Sequence, residues 1–265
     1  MSTDMVLLNS DPASLPPAAQ SAIAEIAARH QAAGGVMMKL VTAAGGQIEN
    51  RLDLLPDGVK NRIEAATSAA LETAYRLAER SLGGVPAGDR AHLALATLTG
   101  VLGGLGGLAT ALAELPVTTA VIFRAIQTIA AGHGFDPADP AIRAECLQVF
   151  AAGSPLPGDD GVNTSFLAAR VTLTGPGLQR LIASISPRFA ALLGQKLAAQ
   201  AVPILGAVTG AGVNYTFMDY FQEMAHVRFG LMRLAQVHDP VAISTAFRAA
   251  VDRGRIGRGL DGGVS

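Results

Sequence analysis

The chain has 265 residues, of which 50% are hydrophobic and 15% charged, and its formal net charge is -1. Ordinary soluble domains carry about 25% charged residues, so the apolar surplus calls for a large core, an interface with a second copy of the chain, or a membrane. A near-neutral chain has no field to gather nucleic acid, which is excluded as a main partner, and the lone Cys146 excludes an intrachain disulfide and fits a reducing compartment.

Residues 1–17 contain Asp4 and prolines at 12, 16 and 17, and read as a flexible leader. No basic stretch leads into an apolar one, so this is not the pattern of a signal peptide. A helix is expected from 18 to 33, with Ile23, Ile26 and Ala27 on one stripe, ended by Gly34-Gly35, and a second from 36 to 52. Asp57 can cap a long amphipathic helix to Leu82, in which Val59, Ile63, Ala66, Ala70, Leu71, Ala74 and Leu77 recur at helical spacing. After the break at 83–88, Asp89 caps a helix through the glycine cluster, and Pro116 suits the first turn of another running to Ala131. Asp139-Pro140 repeats the cap-plus-proline start for a helix carrying Cys146, followed by a polar loop at 153–161. Residues 163–174 read as helix, although Val171 and the threonines also fit a strand. Helices at 178–184 and 188–200 follow, then a long one from Pro203 to Val237 and a short one from Pro240 to Val251. The expected fold is all-α. One helical domain covers 18–252 with two central glycine-rich apolar helices, and 253–265 forms a flexible tail of glycine and arginine.

Two runs carry no Asp, Glu, Lys or Arg: Ala91–Ala113 and Leu197–Met218. Each is long enough for about 30 Å of hydrocarbon at about 1.5 Å per residue. The first draws its lipid affinity from seven leucines and Val101, which sum to about -2 to -5 kcal/mol for insertion before five glycines, three threonines and His92 erode it. The second carries Gln200, Pro203 and Asn214 and is weaker. Three settings account for such runs: helices buried on all sides, helices lying on or dipping into one leaflet, and spans. Gly206, Gly210 and Asn214 share one helical face, where a neighbouring backbone can approach closely.

Several motifs resolve to packing when their context is read. Gly104-Leu-Gly106-Gly-Leu-Ala109 fits G-x-G-x-x-A, yet no strand precedes it and no βαβ alternation surrounds it. Asp219, Glu223 and His226 lie on one helix face, and Glu223-x-x-His226 has the spacing of dimetal carboxylate bundles. No second E-x-x-H accompanies it, so these three are weak metal candidates and no metal or other cofactor is expected. No H-E-x-x-H and no G-x-S-x-G occurs, and Cys146 reads as a small buried hydrophobe. Glu114, Thr118, Thr119, Arg124 and Gln127 bracket an expected turn between two apolar helices, where unpaired polar groups are costly. Either Glu114 pairs with Arg124 and fixes the crossing, or these residues, with Asn214, grip a ligand or partner in an apolar cleft.

Thr99-Gly-Val-Leu-Gly-Gly-Leu-Gly-Gly107, Glu114-Leu-Pro-Val-Thr-Thr119 with Arg124 and Ile129-Ala130, Cys146-Leu-Gln-Val-Phe150, Arg188-Phe189 and Gln200-Ala-Val-Pro-Ile-Leu-Gly206 through Phe221-Gln222 occur in one order. These blocks, within about residues 36–234, closely resemble the EcsC family, named after an operon encoding a bacterial ABC transporter. The resemblance implies a helical bacterial protein working beside a membrane or a transporter, without a defined chemical activity. The chain departs from the pattern after Gln222, in Glu223-Met-Ala-His226-Val-Arg228-Phe229, so the resemblance assigns His226 no ligand role. The expected function is that of a non-enzymatic accessory or regulatory module, cytoplasmic or peripheral at the inner membrane. Its expected partner is a membrane surface or membrane protein. The alternative is a carrier or enzyme for an apolar small molecule or lipid, bound in a cleft near Glu114 and Arg124.

Overall fold

A computed structural model describes residues 15–43, 57–80, 107–150, 177–187, 190 and 206–261, and these residues form an all-α fold. We label the helices α1 (Pro17–Ala43), α2 (Asp57–Arg80), α3 (Gly107–Gly132), α4 (Pro140–Val149), α5 (177–187), α6 (Gly206–Leu234) and α7 (Pro240–Asp261). The expected helices at 89–106, 163–174 and 191–200 fall outside the described residues, as does the glycine cluster at 100–106.

Local chemistry accounts for three of the helix ends. Asp139 caps α4 by accepting from the Ala141 N–H at 2.8 Å, with Pro140 at the first helical position, where its missing N–H removes nothing. Asp239 does the same for α7, accepting from Val241 and Ala242. At the end of α3 the chain closes in a Schellman turn: Phe135 N–H donates to Ala130 O at 3.0 Å and Gly134 N–H to Ala131 O at 2.9 Å. Gly134 has φ +86°, a conformation that favours a residue without Cβ.

Four expectations need correction. Helix α1 continues through Gly34-Gly35 to Ala43 instead of ending there. A glycine costs about 1 kcal/mol relative to alanine in a helix, less than the packing of a long helix against two neighbours contributes. Pro116 does not open a helix: α3 begins at Gly107 and runs through the proline, so the expected turn at 114–119 is absent. Helix α7 extends to Asp261, ten residues past the expected end, so residues 253–261 are helical where a flexible tail was expected. Leu15, assigned to the leader, is buried at 5% exposure beneath Gln20, whose amide donates to its carbonyl at 2.8 Å. Leu15 therefore belongs to the packed body.

The helices pack in a row, α2 on α3, α3 on α6, α6 on α1, and α1 on α7, with α4 set against α2, α3 and α6. Leu15, just before α1, is followed by Ala19, Ile23 and Ala27 at successive turns of that helix, and α2 contributes Ile63, Ala70, Leu71 and Ala74, part of the stripe expected of it. Buried aromatics tie the centre together: Phe150, just past α4, stacks on Phe123 of α3 at 6.3 Å and meets Phe221 of α6 at 5.2 Å. Directions follow from such pairs. Phe123 and Phe221 share Phe150, and further along both helices His133 meets His226, so α3 and α6 run the same way. Arg29 meets Glu223 while Ile26 faces Gly230, so α1 runs against α6. Helix α7 starts beside the end of α6 and reaches His30 and Gln31 by Phe247 and Val251, so it runs with α1.

Candidate functional site

Helix α6 presents Asp219, Glu223, His226, Gly230 and Arg233 at i, i+4, i+7, i+11 and i+14, a single polar face. That face lies between α1 and α3. Arg29 Nη1 of α1 donates to Glu223 Oε1 at 3.1 Å, with both side chains partly exposed. His226 Nδ1 and His133 Nε2, at the end of α3, share a hydrogen bond at 3.1 Å, their rings in an edge-on arrangement 5.4 Å apart. Arg233 Nη1 donates to the His133 carbonyl at 3.2 Å, answering an acceptor that the helix end leaves open. Burial lowers the pKa of His133 below its ordinary value, and the positive neighbours His226, Arg233 and Arg29 push it the same way. Burial alone raises the pKa of the Asp219 carboxyl.

The metal candidates Asp219, Glu223 and His226 are thus distributed among different partners. Glu223 binds the guanidinium of Arg29 and His226 binds an imidazole. Among the described residues no group of three or more His, Cys, Asp or Glu side chains is placed to hold a metal ion.

A second polar network lies in the core. Arg228 Nε donates to Glu145 Oε2 at 2.8 Å, its Nη2 donates to the same oxygen, and Nη2 also donates to Gln148 Oε1 at 2.6 Å. Arg228 and Glu145 are 6% and 5% exposed, so the pair joins α6 to α4 in a water-poor setting. Burial lowers the pKa of Arg228, and the adjoining Glu145 carboxylate opposes that shift. Arg143, one turn before Leu147, lays its guanidinium over the Tyr75 ring of α2 at 5.1 Å. Cys146 between them is fully buried, and burial pushes its thiol far above the ordinary range, so it is unreactive.

Of the polar residues expected to line a cleft, Glu114, Thr118, Thr119, Arg124 and Gln127 occupy one continuous helix, and Asn214 belongs to α6. Glu114 and Arg124 are ten residues apart in α3, about 15 Å along its axis, so they cannot form the expected pair across a turn. The side chains of Glu114 and Asn214 lie outside the described residues. Thr118 and Thr119 are buried at 7% and 1% exposure, and Arg124 is partly exposed, its carbonyl accepting from Thr128 Oγ1 at 3.1 Å. Gln127 is 4% exposed, and neither amide atom has a hydrogen-bond partner. Unpartnered buried amides are rare because each lost bond costs about 1–3 kcal/mol.

Sequence reasoning passed over Glu145, Arg228, His133 and Arg29. One signal was readable. Arg228 stands between Val227 and Phe229 in an apolar stretch, and a charge buried there must find a partner.

A model of the EcsC protein family matches residues 15–234. No curated protein and no solved structure matches the chain. The family match begins at Leu15, which is buried, and includes α1 as well as the blocks noted from residue 36 onward.

Proposed function

We propose that this chain, which belongs to the EcsC protein family, is a helical accessory module that docks on the cytoplasmic side of a membrane, at its surface or on a membrane protein. The observation that carries this reading is the shared direction of α3 and α6. The two uncharged runs are far apart in sequence, yet the described part of each, 107–113 and 206–218, forms the N-terminal part of one of these helices, and so lies at the same end. Val117 and Tyr215, the exposed large hydrophobic residues of α3 and α6 at 53% and 48% exposure, lie toward that end. Helix α7 brings Arg253, Arg255 and Arg258 in the same direction. An apolar end with adjoining cations suits an interface with anionic lipid, where each basic residue near the surface adds about 1 kcal/mol.

Binding fits the remaining chemistry better than catalysis does. Among the described residues, Glu145 is engaged with Arg228, Glu223 with Arg29 and His133 with His226, each across helices, and the thiol of Cys146 is buried. Among the described residues no helix is long and apolar enough to cross a membrane. Sedimentation with vesicles tests the reading. The purified chain is expected to pellet with vesicles containing anionic lipid and to be released by high salt or carbonate, with Val117→Asp and Tyr215→Asp each reducing the bound fraction. Recovery in the supernatant whatever the lipid, or release by detergent alone, would overturn it.

Gln127 favours a second reading. Its buried, unpartnered amide is a polar spot in an apolar core that suits the head of an apolar ligand. Native mass spectrometry separates the two: a stoichiometric small molecule lost in Gln127→Leu would favour the carrier.

A further inference from the structure

We propose that the imidazoles of His133 and His226 form a pH-gated latch, which holds the end of α3 on α6 while at most one of the two rings is charged and lets it go when both are. The contact itself sets that rule. His133 Nε2 and His226 Nδ1 stand 3.1 Å apart, so one of these nitrogens donates and the other must accept. A neutral imidazole offers one acceptor nitrogen and a charged one offers none. The bond therefore survives the first proton and is lost with the second, when two N–H groups face each other.

The charges around the pair come from each element packed against it. Helix α1 brings Arg29, and α6 brings Glu223 and Arg233, with Asp219 on the same face two turns before His226. Asp136 and Asp139 follow at the surface of the turn between α3 and α4. The carboxylates and the negative end of α3 favour a charged ring, and Arg233 answers that helix end at the His133 carbonyl. Burial, the opposite ring, Arg233 and Arg29 all act against charge on His133. The second charge is thus the disfavoured one.

What the latch fastens is a short turn. Past His133, Gly134 takes φ +86° and the Phe135 N–H returns to Ala130 O. The Phe135 ring then meets Phe229 at 5.6 Å, while the His133 carbonyl accepts from Arg233. The end of α3 is therefore held at His226, Phe229 and Arg233 of α6, and the first of these contacts is the one that two charges break. A few residues around a glycine open at far lower cost than a whole helix. Because the released turn accepts a proton that the fastened turn disfavours, release grows as pH falls. The latch lies toward the opposite end of α3 from Val117 and does not depend on membrane docking.

Amide hydrogen exchange on the full chain tests this, with histidine ring nitrogens labelled so that the charge on each ring is read between about pH 7.5 and about pH 5. Protection factors, corrected for the intrinsic pH dependence of exchange, are expected to fall at Gly134 and Phe135 as the second ring becomes charged, by up to about tenfold per pH unit for one linked proton. Amides in the middle of α1 and α6 should keep theirs. His226→Gln and His133→Gln each leave a neutral amide facing the remaining ring, so either should flatten the response, and the second serves if the first fails to fold. Asp219 is retained in both, so its titration does not supply the difference. The proposal is overturned if both rings become charged while Gly134 and Phe135 stay protected, or if both variants lose protection as the parent does. Protection lost together in all helices would be global unfolding and overturns it as well.

Discussion

Arg228 of α6 and Glu145 of α4 meet in the core, 83 residues apart in sequence, with Gln148 accepting a further bond from the same guanidinium. Both ions are nearly dry, so each depends on the other. Removing one partner of a buried pair strands the other charge at a cost of about 3–5 kcal/mol, whereas a volume-matched apolar pair is often neutral. Arg228→Met and Glu145→Leu are each expected to lower the melting temperature by about 6–20 °C, at about 2–4 °C per kcal/mol for a domain of this size. The double variant should recover most of that loss. Additive losses in thermal melts would show that the two charges do not support each other.

Gly230 sits where α6 crosses α1, and a Cβ built there would lie 3.1 Å from Ile26 Cδ1. Gly230→Ala should therefore overpack the crossing, at a cost of about 1–3 kcal/mol set by how far Ile26 can yield. Ile26→Val removes the offending Cδ1 at a cost of about 0.5–1.5 kcal/mol by itself. Chemical denaturation of the two single variants and the double is expected to give a double less destabilised than the sum. Strict additivity would mean that Ile26 is not what the new methyl meets.

The starts of α4 and α7 were legible because their signals are local: an aspartate within reach of the first free N–H groups, followed by a proline where no N–H is needed. The apolar stripe of α2 was legible for the same reason, since helical periodicity is a property of neighbouring residues. Gly34-Gly35 and Pro116 misled because a local penalty does not reveal packing across the fold, and α1 and α3 continue through them. The site was less legible than the fold. Glu223-x-x-His226 drew attention to one face of α6, but its partners Arg29 and His133 come from helices about a hundred or more residues away, with no spacing to announce them.

Glu114 and Arg124 provide a test of α3 continuity, since both belong to a single helix and stand about 15 Å apart along it. A salt bridge across a turn would make their substitutions strongly non-additive. One continuous helix makes them independent, so the stability losses of Glu114→Ala and Arg124→Ala should sum to that of the double variant within about 0.5 kcal/mol. A coupling of several times that size in denaturant unfolding would restore the turn and remove the helix through Pro116.

His133 predicts a pH dependence whose sign follows from its environment. Its folded-state pKa lies below the unfolded value of 6.5, so between those two values the unfolded chain binds more protons than the folded one. Stability therefore rises with pH through that window. The imidazole imposes no penalty well above pH 6.5, a growing one as pH falls through 6.5, and its full penalty below the folded pKa. His133→Gln removes the titrating group while keeping a polar side chain of similar reach toward His226. Denaturant midpoints of parent and variant, compared at about pH 7.5, 6.5 and 5.5, should show the parent losing ground as pH falls. Because Asp219 is present in both proteins, its opposite tendency at lower pH largely cancels from the difference. A difference that stays constant across the series, or that favours the parent at low pH, would mean that the folded chain does not disfavour the charged His133 ring.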